Sequence, residues 1–308
     1  MSHLVWVPQD SLRYLGSASK GLDVQVFPAD PYADPRLGEV ELLVPPMRMS
    51  ESVALDLDDL LRHMPSLRVV QTLSARVDGI VDKIPAGVDL CSARGAHDVP
   101  VAEWVVGAIL AGLKDFALYR DNQRERHWAA GTTQELAGAG VLFLGYGSIA
   151  RQAERRLAPF GPRFWRVARR AREGVQAMSE LPGLLPQADI VVVLLPLTRQ
   201  TRGVVDAPFL ARMRKGALLV NAARGGLVDT AALLDALRAG RVRAVLDVTD
   251  PEPLPEDHPL WHAPGVLITP HVAGRVPNWQ APAYALVRDQ LERFARGQPL
   301  LNVVEDGY

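Results

Sequence analysis

The sequence predicts an α/β protein built on a doubly wound parallel sheet. Short runs such as DIVVVLLP (189–196) and ALLVNAA (217–223) are apolar nearly throughout, as parallel strands covered on both faces must be. Helical patterns alternate with these runs through the second half of the chain. The strand-like VLFLG (141–145) leads straight into a glycine turn and a further helical pattern, the arrangement that opens such sheets. A chain of 308 residues is long for one hydrophobic core, so two domains are expected.

Taken in order, LVWVP (4–8), VQVFP (24–28), VELLVPP (40–46) and LRVVQTL (67–73) read as four strands with helical pieces between them. From Ala96 the texture changes. The stretch from His97 to Gln123 predicts one long helix, with Asp98 as its cap, Pro100 in the first turn and Glu103 near the N-terminus. Strands are then expected at 141–145, 163–168, 189–196, 217–223, 243–248 and 266–270. Between them DTAALLDALRAG puts Leu233, Leu234 and Leu237 on one helical face, and Gly240 stops the helix. After the last strand the tail from Asn278 reads as a helix and then an extended segment.

Composition narrows the function. Lys plus Arg (34) nearly balances Asp plus Glu (35), which argues against a nucleic-acid or membrane-surface binder. Cys91 is the sole cysteine, so neither an intrachain disulfide nor a thiolate metal cluster is expected. The start MSHLVWVPQD lacks the basic residues and apolar run of a secretory signal, and no run approaches the ~20 residues that span a bilayer. A cytoplasmic protein without membrane or nucleic-acid partners is the expectation.

The glycine turn is the sharpest local signal. Gly145, Tyr146, Gly147, Ser148, Ile149 and Ala150 follow a buried strand and open a helix with Ile149, Ala153 and Leu157 inward. Gly145 permits the tight turn, Gly147 lets the backbone approach a pyrophosphate, and Ala150 in place of a third glycine still allows close helix–strand packing. The helix N-terminus adds N–H groups and partial positive charge. With the strand before it, the helix after it and the repeating βα pattern around it, the turn is expected to be a Rossmann-type dinucleotide site rather than a glycine turn without ligand. An acid for a ribose 2′-hydroxyl is expected ~20 residues on. That place holds Ala168, followed by Arg169, Arg170 and Arg172. A guanidinium fork binds a 2′-phosphate that a carboxylate would repel, so NADP(H) is favoured, with Arg169 and Arg170 as its ligands. NAD(H) stays open, because a solvated basic loop would have the same composition.

Three polar residues fall at the ends of later strands, where open α/β sheets place their sites: Arg224, Glu252 and His271. An arginine grips a carboxylate with two parallel hydrogen bonds. A histidine beside a carboxylate can hold a proton near neutral pH. With a nicotinamide, such a set reduces a 2-oxo acid. Spacing alone leaves open whether the three meet, since each could also be an ordinary surface or hydrogen-bonded residue.

From about Leu67 to Gly274 the chain resembles the D-isomer-specific 2-hydroxyacid dehydrogenases. LSARVDGI, VPVAEWVVGAIL, ELAGAGVLFLGYGSIA, ADIVVVLLPLTRQTRG, MRKGALLVNAARGGLVD, VLDVTDPEPLPEDHPLW and ITPHVAG carry the resemblance. It implies a Rossmann-type domain (97–273) inserted into a flavodoxin-like substrate domain made of 1–96 plus 274–308. By the same resemblance Arg224 is the substrate-binding arginine, His271 the acid/base and Glu252 its carboxylate partner. Asp247 is similar to the residue that bonds the nicotinamide carboxamide, and Thr198 and Ala222 fall at cofactor-lining positions. Backbone N–H groups around Ala75 and Arg76 match a carboxylate-binding loop, and Met47 and Arg48 match a loop facing the variable end of the substrate. The family usually reads SAGVD where this chain has SARVD, so Arg76 either reshapes the loop or adds a cation to the cleft. Trp128 resembles a dimer-arm tryptophan, which implies a homodimer.

The expected function is NADPH-dependent reduction of a small 2-oxo acid, of the glyoxylate or hydroxypyruvate kind, to a D-2-hydroxy acid. Two rivals stand beside it. A 3-phosphoglycerate-type dehydrogenase is disfavoured by a chain ending at Tyr308, without room for an appended regulatory domain. A non-catalytic dinucleotide sensor could use the same fold.

Overall fold

The structure, a computed structural model, describes residues 2–16, 20–47, 56–75, 77 and 79–305. In chain order the strands are β1 (His3–Val7), β2 (Leu22–Val26), β3 (Val40–Leu43), β4 (Val69–Gln71), β5 (Asp89–Cys91), β6 (Gly140–Leu144), β7 (Arg163–Ala168), β8 (Gln176–Ala177), β9 (Ile190–Val193), β10 (Ala217–Asn221), β11 (Val242–Leu246) and β12 (Val266–Ile268). The helices are α1 (Leu12–Leu15), α2 (Leu57–Arg62), α3 (Asp98–Leu113), α4 (Phe116–Arg124), α5 (Ser148–Leu157), α6 (Leu181–Leu184), α7 (Ala207–Arg212), α8 (Thr230–Arg238) and α9 (Gln280–Ala295). The chain divides into two compact units, one of 1–97 with 277–308, the other of 98–276.

The first unit holds a five-stranded sheet ordered β2-β1-β3-β4-β5, with every pair parallel. That is the flavodoxin-like order. Apolar side chains from β1, β3 and β4 fill cores on both faces, one of them completed by Tyr284, Val287 and Leu291 of α9. The segment after α9 is anchored through Gln290, a buried amide that accepts from the Leu301 N–H (2.8 Å) and donates to its carbonyl (3.1 Å). Such reciprocal bonding is what a buried amide requires. Val303 then bridges antiparallel to Cys91 on β5, a strand that the alternation of the sequence did not suggest. Burial pushes the Cys91 thiol up to about 12.

The second unit holds a seven-stranded parallel sheet ordered β12-β11-β10-β9-β6-β7-β8. Its first strand, β6, lies inside the sheet, with β7 on one side and β9 on the other. The order therefore reverses between β6 and β9, the switch point where doubly wound sheets bind ligands. Strands β6, β9 and β10 are buried along their whole length, as their apolar runs predict. Leu233, Leu234 and Leu237 are the buried face of α8, whose N-cap Asp229 accepts from the Ala232 N–H (3.0 Å).

Three local readings are corrected. The long helix expected over 97–123 is two helices, because Asp115 turns left-handed (φ +51°) between α3 and α4. Asp98 is not a flanking cap but the first helical residue, and its carboxylate accepts from the Ser148 hydroxyl at 3.0 Å. On α5 the buried residues are Ala150, Ala153 and Leu157, with Ile149 only half-buried. Small side chains at 150 and 153 let α5 pack closely against the sheet and α3.

Candidate functional site

The glycine turn sits at the switch point. Gly145 takes φ +101°, and a Cβ there would lie 2.6 Å from the Leu194 carbonyl carbon and the Leu195 nitrogen. The turn therefore packs directly on the end of β9, and only glycine allows it. At Gly147 the opposite holds: nothing stands within 4 Å of where a Cβ would be. No side chain caps α5 behind it, so the N–H groups of its first turn are left to other acceptors. Open space at Gly147 beside a helix N-terminus without a side-chain cap fits the pyrophosphate of a dinucleotide.

Past the end of β7, Arg169 and Arg170 are exposed, flanking the glycine turn through strand pairing of β6 with β7. Their neighbours have other duties. Arg166 forms a two-pronged bond to Glu154 (2.7 and 2.5 Å) and stacks over the Tyr146 ring, at 5.6 Å from its centroid. Glu154 raises the Arg166 pKa further above its ordinary value. Arg172 donates to the Tyr146 carbonyl at 2.6 Å and so ties the basic loop back to the glycine turn. Thr198 opens a tight turn beyond β9, its N–H donating to Thr201 Oγ1 at 2.8 Å, and half-buried Ala222 follows β10.

On the other side of the switch point β10, β11 and β12 lie in register, so residues just past their carboxyl ends share one edge of the sheet. Arg224, Asp247, Glu252 and His271 all belong to that edge. Past β10 the buried Asn221 side chain accepts from the Ala223 N–H (3.1 Å) and donates to the Arg224 carbonyl (2.9 Å), which sets the backbone of the turn. Gly225 then runs so close to the 249–250 backbone that a Cβ would come within 1.8 Å of the Thr249 carbonyl oxygen. The half-buried Arg224 side chain bonds the Ala223 carbonyl through Nη1 at 2.6 Å.

Past β12 the His271 imidazole meets Glu252, Nδ1 to Oε1, at 2.5 Å. A carboxylate acceptor on Nδ1 places the proton of the neutral ring on that nitrogen and fixes the ring's orientation. Asp247 is 2% exposed, yet its carboxylate is well supplied: it accepts from the Thr269 hydroxyl (2.5 Å), the Val272 N–H (2.9 Å) and the Ala273 N–H (2.9 Å). A carboxylate has about four acceptor positions, so three of them are taken by protein donors.

In the first unit, Ala75 lies past β4, in a loop where the Ser74 carbonyl accepts from Thr72 Oγ1 (2.6 Å) and from the Ala93 N–H (2.9 Å). Met47, past β3, is exposed. Arg48 and Arg76 lie outside the described residues.

Comparison with known proteins bears on this edge. A sequence model of the D-isomer specific 2-hydroxyacid dehydrogenase NAD binding domain matches residues 106–273, more than half of the chain. The chain belongs to the D-isomer-specific 2-hydroxyacid dehydrogenase family. A dehydrogenase of this family from Xanthobacter autotrophicus Py2, solved with NADPH and MES, superposes with a TM-score of 0.83 at 33% identity, covering 100% of this chain and 99% of the other. The NADPH-dependent glyoxylate/hydroxypyruvate reductase of Sinorhizobium meliloti, solved with NADP and sulfate, gives 0.80 at 28% identity, with both chains fully covered. Among curated relatives, the chloroplastic/mitochondrial formate dehydrogenase of Arabidopsis thaliana is 31% identical over 72% of this chain. The match spans 62% of that relative's own length.

Sequence reasoning about this 2-hydroxyacid dehydrogenase missed the side chains that hold the site in place. Asn221, Thr269 and Trp104 each make a hydrogen bond at this end of the sheet, and none stood out by composition. Asn221 alone carried a usable signal: an amide inside an otherwise apolar strand must be satisfied locally.

Proposed function

We propose that this dehydrogenase reduces a small 2-oxo acid, of the glyoxylate or hydroxypyruvate kind, to the D-2-hydroxy acid with NADPH. The observation that carries the reading is the 2.5 Å contact of His271 with Glu252, on the same sheet edge as Arg224 and Asp247. Gly145, Tyr146, Gly147, Ser148 and Ile149 would cradle the pyrophosphate, Arg169 and Arg170 the 2′-phosphate, and Asp247 the carboxamide, with Thr198 and Ala222 alongside. When bound, NADPH supplies a hydride for the carbonyl carbon.

The protein's own part is binding and proton delivery. Arg224 grips the substrate carboxylate and turns the carbonyl toward its reacting partners. His271 gives its Nε2 proton to the carbonyl oxygen as negative charge develops there, and Glu252 opposes the imidazolium charge beforehand and fixes the ring. The resemblance assigns the loop around Ala75 and Arg76 to the substrate carboxylate, and Met47 and Arg48 to the variable end of the substrate. The reading includes a cytoplasmic homodimer. Trp128 is 99% exposed, and α4, with Phe116 and Leu118 exposed, has no buried residue of its own. A second copy of the chain would cover these apolar groups.

The deciding assay is a panel of 2-oxo acids, including glyoxylate, hydroxypyruvate and 3-phosphohydroxypyruvate, run with NADPH and NADH side by side. Turnover of the small acids with NADPH is expected. Preference for the phosphorylated acid would replace this reading with a phosphoglycerate-type one. Tight NADP(H) binding without turnover of any acid would make the chain a sensor.

A further inference from the structure

His271 stands on an unusual piece of backbone. Its φ of +52° lies in the left-handed region, which a residue with a Cβ adopts only when its surroundings enforce it. The enforcement is visible. The N–H groups of three consecutive residues, His271, Val272 and Ala273, all reach Asp247, the first at its carbonyl oxygen (2.7 Å) and the other two at its carboxylate (2.9 Å each). Successive N–H groups folded around an anion form a backbone nest, and the anion here is a side chain from the neighbouring strand. The imidazole is carried by the first residue of that nest, so its position follows the carboxylate.

What then fixes the carboxylate? Its Oδ1 also accepts from Thr269 Oγ1 at 2.5 Å, and Thr269 Oγ1 receives the indole N–H of Trp104 on α3 at 3.1 Å. The direction of this chain is set by chemistry. An indole N–H can only donate, so the threonine oxygen must accept, and its single hydrogen is directed to Asp247. A valine at 269 would match the shape and leave both the indole and Oδ1 short of a partner. The chain runs within one compact unit, from a long helix to the end of β11 and on to the loop of His271.

We infer that Trp104 and Thr269 are positioning residues for His271, acting through Asp247 to hold the nest that sets the imidazole against Glu252. The inference rests on the proposed role of His271 as proton donor, and it gives Thr269 and Trp104, both inside stretches that carry the resemblance, a role that the resemblance does not assign. Neither touches substrate. A purely packing role for the pair would couple α3 to the sheet without any effect on the ring.

The test compares Thr269→Val, Thr269→Ser, Trp104→Phe and the double variant Trp104→Phe/Thr269→Val in the full chain. Steady-state kinetics with NADPH and glyoxylate are paired with proton NMR of the His271 Nδ1–H···Glu252 resonance. Thr269→Val is expected to lower kcat by about tenfold, as a displaced proton donor does, with KM for NADPH unchanged. Its far-downfield imidazole resonance should move or broaden. Thr269→Ser should restore both readouts. Trp104→Phe should fall in the same direction by less, and the double variant should be no worse than Thr269→Val, because the indole acts only through the hydroxyl. An unchanged imidazole resonance and kcat in Thr269→Val would overturn the inference, as would additive losses in the double variant. If no 2-oxo acid is turned over by the parent protein while the resonance still responds to Thr269→Val, the positioning stands and the catalytic role of His271 falls.

Discussion

Two edges of the same seven-stranded sheet, on either side of its switch point, are built to opposite standards. Past β10, β11 and β12 nearly every polar group has a partner: Asn221 closes the Arg224 turn, Glu252 holds His271, and Asp247 gathers Thr269, Val272 and Ala273. Past β7 the loop of Arg169 and Arg170 is exposed, with Arg172 bonding the Tyr146 carbonyl. The difference follows from what each edge would have to do. Proton transfer falls off steeply with misplacement of the donor, so a donor has to be held in advance. Recognition of a phosphate by guanidinium groups tolerates movement, since several geometries satisfy the same charge.

The comparison can be broken at its strongest point first. His271→Ala should lower kcat by about 10²–10⁴-fold, the usual worth of a positioned acid, while NADPH affinity measured by fluorescence titration stays near that of the parent. A small loss would show that the ordered edge is not where the proton is handled. Arg224→Lys keeps the charge and loses the fork, and kcat/KM for the 2-oxo acid should drop by about 10²-fold. Near-normal efficiency in steady-state assays would remove Arg224 from substrate binding.

The exposed edge should respond in a different currency. Arg169→Ala with Arg170→Ala should weaken NADPH binding by about tenfold to a hundredfold, leave NADH nearly unaffected, and change kcat at saturation little. Equal weakening of both cofactors in a titration would make the loop merely structural. At the bottom of the scale lies a group outside both edges. The Cys91 thiol, pushed up to about 12 by burial, should stay protonated and unreactive toward a disulfide reagent from pH 6 to 9. Rapid labelling of the folded protein would mean that β5 opens far more readily than its buried position implies.

How much of this was legible beforehand varied with the physical range of the signal. Six of the seven strands of the large sheet were, because burial on both faces leaves an apolar run that needs no partner to be recognised, whereas the two-residue β8 was too short to show one. So was the glycine turn, since Gly145 and Gly147 answer to local backbone demands. Strand β5 was missed: three residues, DLC, are too few to show a period, and the strand exists because Val303 and β4 flank it. The break at Asp115 was missed for a related reason, since the apolar spacing continues across it. At the site, His271 and Glu252 could be named as a pair only through the family resemblance, being 19 residues apart in sequence.

By itself, then, the order of residues determined the fold class, the dinucleotide turn and the identities of the polar groups at the strand ends, because each follows from local burial, local backbone geometry or residue chemistry. Which of those groups touch was decided only in three dimensions. Parallel strands β10, β11 and β12 bring distant loops to one edge, and the bonds from Trp104 through Thr269 and Asp247 to the His271 loop join segments that share no pattern along the chain. Hydrogen bonds act over about 3 Å, and sequence separation carries no record of them.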